Sequence, residues 1–353
     1  MTDKFDYDLF IVGAGSGGVR AARMAASQGA RVGVAEDRDL GGTCVNVGCV
    51  PKKLFVYASK FPDIFHIGNS YGWSFDSAKF DWHALRDNKN SEIARLNTIY
   101  ADLLNSSGAD LFSERAFLKG PNTVIVGGKS YSARYILLAV GGWPYIPEFP
   151  GSQYALSSNE MFFLERLPET AVVVGGGYIA LEFAGILNGL GVSTHLIYRG
   201  QRLLKSFDSE MTDKVEQGMR SKGVKIHLNT KVDSIEFVNE SHDVFLSDGR
   251  CVSADLVLYA TGRRANTNHL GLENTSVKTR HDGSIIVDKD FRTHEPSIFA
   301  LGDVIDRVQL TPVAIQEAMV LVDHLFGKAE QTIDYRNIPT AVFSQPEFAS
   351  VGL

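Results

Sequence analysis

Two cysteines, Cys44 and Cys49, lie five positions apart in the segment Gly42-Thr43-Cys44-Val45-Asn46-Val47-Gly48-Cys49-Val50-Pro51-Lys52. Thiols at this spacing can store two electrons by closing and opening a disulfide, provided the chain bends between them. A regular helix would separate them by roughly 7.5 Å along its axis, whereas a disulfide needs Cα atoms within about 4.4–6.8 Å. Closing this pair therefore requires an irregular turn, and Gly48 and Pro51 are residues suited to making one. A bond closed in such a bent segment reads as a working redox couple rather than a staple. The bland alternative is an incidental pair of intracellular thiols.

The elements that must position the pair begin upstream. The apolar run Leu9–Val12 leads into Gly13-Ala14-Gly15-Ser16-Gly17-Gly18 and then a helical pattern from Val19 to Gln28. Gly13 permits a tight turn, Gly15 lets a pyrophosphate approach the backbone, and Gly18 allows close helix–strand packing. The helix N-terminus offers unpaired N–H groups to phosphates. A second strand, Arg31–Ala35, delivers Glu36, where a carboxylate can accept both hydroxyls of a ribose. Strand, glycines, helix and terminal acid together make a dinucleotide fingerprint, where glycines alone would be a weak signal.

A second fingerprint follows. Strand Ala171–Val174 runs into Gly175-Gly176-Gly177-Tyr178-Ile179-Ala180, a helix through Leu190, and strand Thr194–Tyr198. That last strand ends without an acid: Tyr198 is followed by Arg199, with Arg202 and Lys205 close behind. Positive charge there suits the 2′-phosphate of NADP, with Lys205 supplying a point charge rather than a planar fork. An ordinary solvated basic face is the alternative. Two fingerprints imply two dinucleotides, one delivering electrons and one passing them on. Between them, Ser91–Leu104 reads as a helix, and Val124–Val126, Lys129–Ser132 and Tyr135–Val140 as a small sheet. Gly141-Gly142-Trp143-Pro144 reads as a linker.

Composition narrows the class. At 353 residues the chain suits two or three domains, and a formal charge of −6 lends no support to nucleic-acid binding. Only three cysteines occur, which argues against a secreted disulfide framework; Cys251 is expected to be a small buried hydrophobe. The run Leu9–Val12 is too short for a signal-peptide core, and Asp3 and Asp6 precede it. No stretch approaches the length of a membrane span. The expectation is a soluble, cytoplasmic protein with no nucleic-acid or membrane partner and no metal.

The segment Gly42–Lys52 closely resembles the redox-active disulfide of the flavin-dependent pyridine nucleotide–disulfide oxidoreductases, and the likeness extends from Tyr7 to Leu353. The ending Val50-Pro51-Lys52-Lys53 is most similar to the glutathione-reducing members; those acting on lipoamide or mercuric ion usually carry serine in place of Lys52. The resemblance implies an α/β fold with two Rossmann-like dinucleotide-binding domains, the NADP domain inserted into a discontinuous FAD domain. The boundaries expected are 1–143 for the first FAD part, 144–265 for the NADP domain, 266–334 for the second FAD part, and 335–353 for the start of a dimerisation domain.

Carried over position by position, the resemblance assigns Gly13, Gly15, Ser16, Gly17, Gly18, Glu36, Thr43, Ala116, Asp303 and Thr311 to FAD. It assigns Gly175, Gly176, Gly177, Ile179, Ala180, Arg199, Lys205, Gly262 and Arg263 to NADPH. Lys52 would lie by the flavin and pair with Glu182, favouring the anionic reduced flavin; a helix-surface pair is the alternative. Tyr178 would cover the nicotinamide pocket, or else be a packing aromatic. Cys49 would face the flavin and Cys44 the substrate.

Arg23 falls where a glutathione carboxylate would be held, Tyr100 would pack between the two halves of glutathione disulfide, and Arg20 beside Arg23 would repel a cationic substrate such as trypanothione disulfide. Met319 departs from the pattern, since many members have a second substrate arginine there. The family's homodimer supplies a His-Glu acid–base pair from a C-terminal interface domain, of which residues 335–353 are only the beginning; none of the nine histidines sits in that motif. The implied activity is NADPH-dependent reduction of glutathione disulfide. Trypanothione, thioredoxin and mercuric reduction are the alternatives, together with a flavin-binding module lacking disulfide reductase turnover.

Overall fold

Five apolar residues and Asp8 make up the first strand β1, Tyr7–Val12, and all but Asp8 are buried. Strand β1 lies between β2 (Val32–Ala35) and β6 (Lys129–Leu138), parallel to both. The sheet continues through β3 (Asp110–Phe112) on one side and β16 (Ile298–Ala300) on the other, again parallel. Residues buried on both faces are what a parallel sheet covered by helices requires. The computed structural model of the chain describes residues 5–75, 78–327 and 332–352; Asp3 and the terminal Leu353 lie outside them.

The chain divides into two compact units, one of Met1–Cys49, Glu92–Trp143 and Arg264–Tyr335, the other of Val50–Ser91, Pro144–Arg263 and Arg336–Leu353. Strands β7 (Gly142–Pro144) and β15 (Arg263–Ala265) lie where the chain passes between them.

In the first unit, helices α1 (Ser16–Ser27) and α7 (Thr311–Phe326) bury Ala21, Ala22 and Ala25 together with Ala318, Leu321 and Val322. Alanines on the inner face of α1 let the backbones approach closely. Strand β6 is shared: Ala133–Leu138 pairs with β1, and Lys129–Ser132 pairs antiparallel with β5 (Thr123–Val126), which pairs with β4 (Ala116–Gly120). The two strands expected at Lys129–Ser132 and Tyr135–Val140 are therefore one. Short helix α2 (Gly42–Asn46) and the later part of α4 (Trp82–Ser107) complete this unit. Helix α4 starts nine residues before the expected Ser91, because Asp81 accepts the His83 and Ala84 amides and caps it.

The second unit has its own parallel sheet, in the order β10 (Lys225–His227), β9 (Ser193–Ile197), β8 (Thr170–Val174), β14 (Leu256–Tyr259). Helix α5 (Tyr178–Gly189) follows β8, and α6 (Ser209–Ser221) precedes β10. An antiparallel meander of β11 (Val232–Val238), β12 (Ser241–Leu246) and β13 (Cys251–Ala254) covers Val172, Val174 and Ile197 with Ile235, Val244 and Leu246. Cys251 is exposed on β13, not buried as expected. Strand β13 is an edge of the meander, and its inward register there falls to Ala254. Helix α3 (Cys49–Asn69) and the pair β17 (Thr340–Val342) and β18 (Phe348–Ser350) also belong here from Val50 onward. Among the described residues no helix is long and apolar enough to cross a membrane.

Candidate active site

The first glycine turn is fixed by steric necessity. Gly13 has φ 103°, and a Cβ on Gly18 would lie 1.9 Å from the Gly13 carbonyl oxygen. Only glycines let α1 start this close to the end of β1. Gly15 precedes α1 in an extended conformation, and no side chain caps the helix, which leaves first-turn N–H groups for an anion. Glu36, at the end of β2, accepts the Ala14 N–H at 2.7 Å through one oxygen and the Arg38 N–H at 3.1 Å through the other. Burial is the main influence on its carboxyl and raises its pKa. Glu36 thus holds the glycine turn itself, a role the sequence reading did not include.

Ser16 and Thr311, 295 residues apart in sequence, approach to 3.4 Å between hydroxyl oxygens, which brings the N-termini of α1 and α7 together. Asp303 sits half-buried in the 3-10 turn Gly302–Ile305 after β16. The Gly302 N–H donates to Glu317 of α7 at 2.7 Å, and Glu317 also accepts from the Tyr335 hydroxyl at 2.8 Å. Thr43 is half-buried on α2, and Ala116 is buried at the start of β4. An uncapped helix start, a cradle that a Cβ would fill and converging polar groups are features that fit a dinucleotide diphosphate.

The cysteine segment packs directly onto this turn. A Cβ on Gly42 would lie 2.7 Å from the Gly15 Cα, so α2 begins against the fingerprint backbone. Helix α2 carries Cys44, half-buried, and stops at Asn46; Val47 (φ −139°, ψ 39°) and Gly48 break the helix, and Cys49, exposed, opens α3. A Cβ on Gly48 would meet the Thr43 carbonyl oxygen at 2.6 Å and the Cys44 Cα at 3.1 Å. Glycine is what lets the chain fold back on α2 there. Pro51 takes no part in the break: it sits in the first turn of α3, where its missing N–H costs nothing.

Lys52, in that same first turn, places Nζ 2.7 Å from Glu182 Oε1 of α5, with the two side chains only 12% and 3% exposed. This is a buried pair, not one on a helix surface. The Phe343 N–H donates to the same carboxylate oxygen at 2.9 Å. Lys52 Nζ also lies 4.4 Å from the Phe343 ring centroid and Lys53 Nζ 3.6 Å from it. The carboxylate therefore has a cation and a backbone donor, which is what a charge at this burial needs.

The second glycine turn, Gly175–Gly177, links β8 to α5, whose N-terminus again has no side-chain cap. Tyr178, 41% exposed, is the first residue of α5; Ile179 is half-buried and Ala180 buried. The Leu204 N–H donates to the Gly176 carbonyl at 2.8 Å and ties the segment after β9 to the turn. On that segment Arg199 and Lys205 are exposed, while Arg202 is half-buried with its Nε enclosed and unbonded. Three cations and an orphaned guanidinium N–H fit a phosphate, with Arg202 the residue directed inward. Gly262 (φ 145°) and the half-buried Arg263 lie at the entry to β15.

Arg20 and Arg23 share a cleft in the first unit. Arg20, Arg23, Met24 and Ser27 of α1 face Leu103, Ser106 and Ser107 of α4 across a cleft of about 310 Å³. The Tyr100 phenol is raised in pKa chiefly by burial and further by Cys44, and lowered by Arg20 and Arg23. It therefore lies within electrostatic reach of both arginines and of the thiol. Met319 is half-buried on α7. Sequence reasoning missed Asn46 and Asn97, which bond to each other beside Cys44, and Glu317 beneath Asp303. The place of Asn46 between the two cysteines was the one available signal.

A parallel-sheet unit with a thiol pair seated on its glycine turn, joined in one chain to a second such unit, defines a class of nucleotide-linked disulfide oxidoreductase. The chain belongs to the pyridine nucleotide-disulphide oxidoreductase family, which it matches over residues 7–318. It is 43% identical to a glutathione reductase of Burkholderia cepacia over 350 residues, covering 99% of this chain and 78% of that one. It is 42% identical to a glutathione reductase of Nostoc sp. over 361 residues, covering 99% and 79%. It is also 45% identical to a chloroplastic/mitochondrial glutathione reductase of Pisum sativum over 362 residues, covering 99% and 66%.

Proposed function

We propose that this protein reduces glutathione disulfide to glutathione at the expense of NADPH, through a Cys44–Cys49 disulfide. The observation that carries the reading is the helix–break–helix segment that seats Cys44 and Cys49 against the Gly15 turn. The three glutathione reductases support the substrate.

FAD, held by the glycine turn, Ser16, Glu36, Thr43, Ala116, Asp303 and Thr311, supplies a two-electron relay when bound. Gly175–Ala180, Gly262 and Arg263 would receive NADPH, with Arg199, Arg202 and Lys205 at the 2′-phosphate and Tyr178 over the nicotinamide pocket. In the reduced pair, the Cys44 thiolate attacks one sulfur of glutathione disulfide, forming a mixed disulfide and expelling one glutathione thiolate. Cys49 then attacks the Cys44 sulfur, re-forms the internal disulfide and expels the second glutathione. Two thiols are oxidised to one disulfide as one disulfide is reduced to two thiols. Lys52, held by Glu182, offers a fixed positive charge that favours anionic species near the start of α3.

Arg23, Arg20 and Tyr100 would hold the anionic tripeptides. The parts that carry FAD and NADPH are read as residues 1–143 with 266–334, and 144–265. A homodimer is part of this reading, supported by the exposed stripe Tyr57, Phe61 and Ile64 on α3. A cytoplasmic setting is proposed with it.

Anaerobic addition of NADPH should produce long-wavelength thiolate–flavin absorbance, lost in Cys49→Ser, and glutathione disulfide should abolish it within seconds. No such absorbance with both cysteines present, or no response to the disulfide, would overturn the proposal.

A further inference from the structure

We propose that Asn46 and Asn97 form an amide clasp that holds α2 against α4 and so fixes the direction of Cys44, making both of them positioning residues. The proposal rests on the reading of Cys44 as the thiol that attacks substrate. Helix α2 has only five residues and no side-chain cap, too few to hold an orientation by its own hydrogen bonds. What fixes it is Asn46, its last residue, 8% exposed. Asn46 Nδ2 donates to the carbonyls of Gly42 at 2.9 Å, Leu40 at 3.0 Å and Asp39 at 3.3 Å. Asn97 Nδ2, from α4, donates to Asn46 Oδ1 at 2.8 Å and to the Leu40 carbonyl at 2.9 Å.

The network allows one arrangement. Backbone carbonyls only accept, so the nitrogen of Asn46 must face them. Its oxygen must then face Asn97, whose nitrogen must point back. Cys44 precedes Asn46 by two residues, so the two side chains leave α2 roughly 200° apart. Gripping Asn46 from behind therefore turns Cys44 toward the opposite side. On α4, Asn97 lies one turn before Tyr100, and Tyr100 one turn before Leu103 of the cleft wall. Through the clasp, the helix that lines the cleft also sets the direction of the thiol. A displacement of about 1 Å at a reacting atom can cost as much as a hundredfold in rate.

The test uses the full chain with FAD, as Asn97→Leu, which has similar bulk without the amide, Asn97→Ser, and Asn97→Gln, which keeps a primary amide. Cys44 reactivity is followed as iodoacetate alkylation of the NADPH-reduced protein, alongside kcat and KM for glutathione disulfide. We expect Asn97→Leu and Asn97→Ser to slow Cys44 alkylation and lower kcat/KM by about tenfold, within the range set by such misplacement. Flavin content and the thiolate–flavin absorbance, which report on Cys49, should be unchanged, and Asn97→Gln should stay within about threefold of the parent. Parental Cys44 reactivity in both Leu and Ser variants would overturn the clasp. So would parallel loss of flavin and thiolate–flavin absorbance, which would mark Asn97 as merely structural. Alkylation needs no glutathione disulfide, so a protein with normal clasp behaviour but no turnover would sink the substrate reading alone.

Discussion

Lys52 and Glu182 show how much a single contact can constrain chemistry. A carboxylate 3% exposed is tolerated on α5 because Lys52 Nζ at 2.7 Å and the Phe343 N–H at 2.9 Å both address one oxygen. The aromatic face of Phe343 below the two lysines adds attraction for the same cations. Removing one partner of a buried pair is costly because the other is left charged and unmatched, on the order of 3–5 kcal/mol. Glu182→Ala should therefore lower the urea-unfolding stability by about that range, with Glu182→Gln milder because it still accepts from Phe343. Lys52, released from its anchor, should also support slower reduction by NADPH in stopped-flow traces. A Glu182→Ala protein as stable as the parent would mean that the pair is not effectively buried in solution. The sequence carried the identities of both residues, but they are 130 positions apart, and only folding reveals that the pair is enclosed and shares Phe343.

Among the elements, the break between α2 and α3 is the one on which the redox reading depends. Thiols five residues apart cannot close a bond within one continuous helix, and the interruption at Val47–Gly48 removes that obstacle. A methyl group on Gly48 has no room, with the Thr43 oxygen 2.6 Å from where it would sit. Gly48→Ala should push the start of α3 away from α2, and a titration of accessible thiols after mild oxidation should then count two more than in the parent. An unchanged thiol count would show that the segment closes the bond by another route. The bend itself was legible from the spacing and from Gly48, whereas Pro51 was not a turn residue because a proline early in a helix is tolerated. Both glycine turns were legible for a similar local reason, since only glycine permits those approaches. Strand β6 was misread as two because its change from an antiparallel to a parallel partner leaves no mark in its own residues. Cys251 was misread because its exposure depends on the edge position of β13, a property of the sheet and not of the strand.

At the scale of the molecule, each fingerprint belongs to a different compact unit, and each unit is discontinuous in sequence. The pairing of β16 with β6, 162 positions apart at Ile298 and Ile136, returns the Gly302–Asp303 turn to the unit that holds the first glycine turn. Thr311 meets Ser16 for the same topological reason. That return was readable only through the family likeness, since nothing in the local pattern of residues 297–303 names the strand they join. Two separate cradles predict two separable ligand footprints in hydrogen exchange. A 2′-phosphorylated adenosine fragment, 2′,5′-ADP, should protect the amides of 175–180 and 199–205 and leave 13–18 and 302–311 at their starting rates. Removing FAD should do the reverse, exposing 13–18 and 302–311 with little change at 175–205. Arg202→Leu should weaken 2′,5′-ADP by about tenfold or more while sparing 5′-AMP, because a charge-assisted hydrogen bond contributes about 1.5–3 kcal/mol. Equal loss for both fragments would assign Arg202 to the fold rather than to the phosphate. Protection of 13–18 by 2′,5′-ADP would mean that the two glycine turns do not divide the dinucleotides between them.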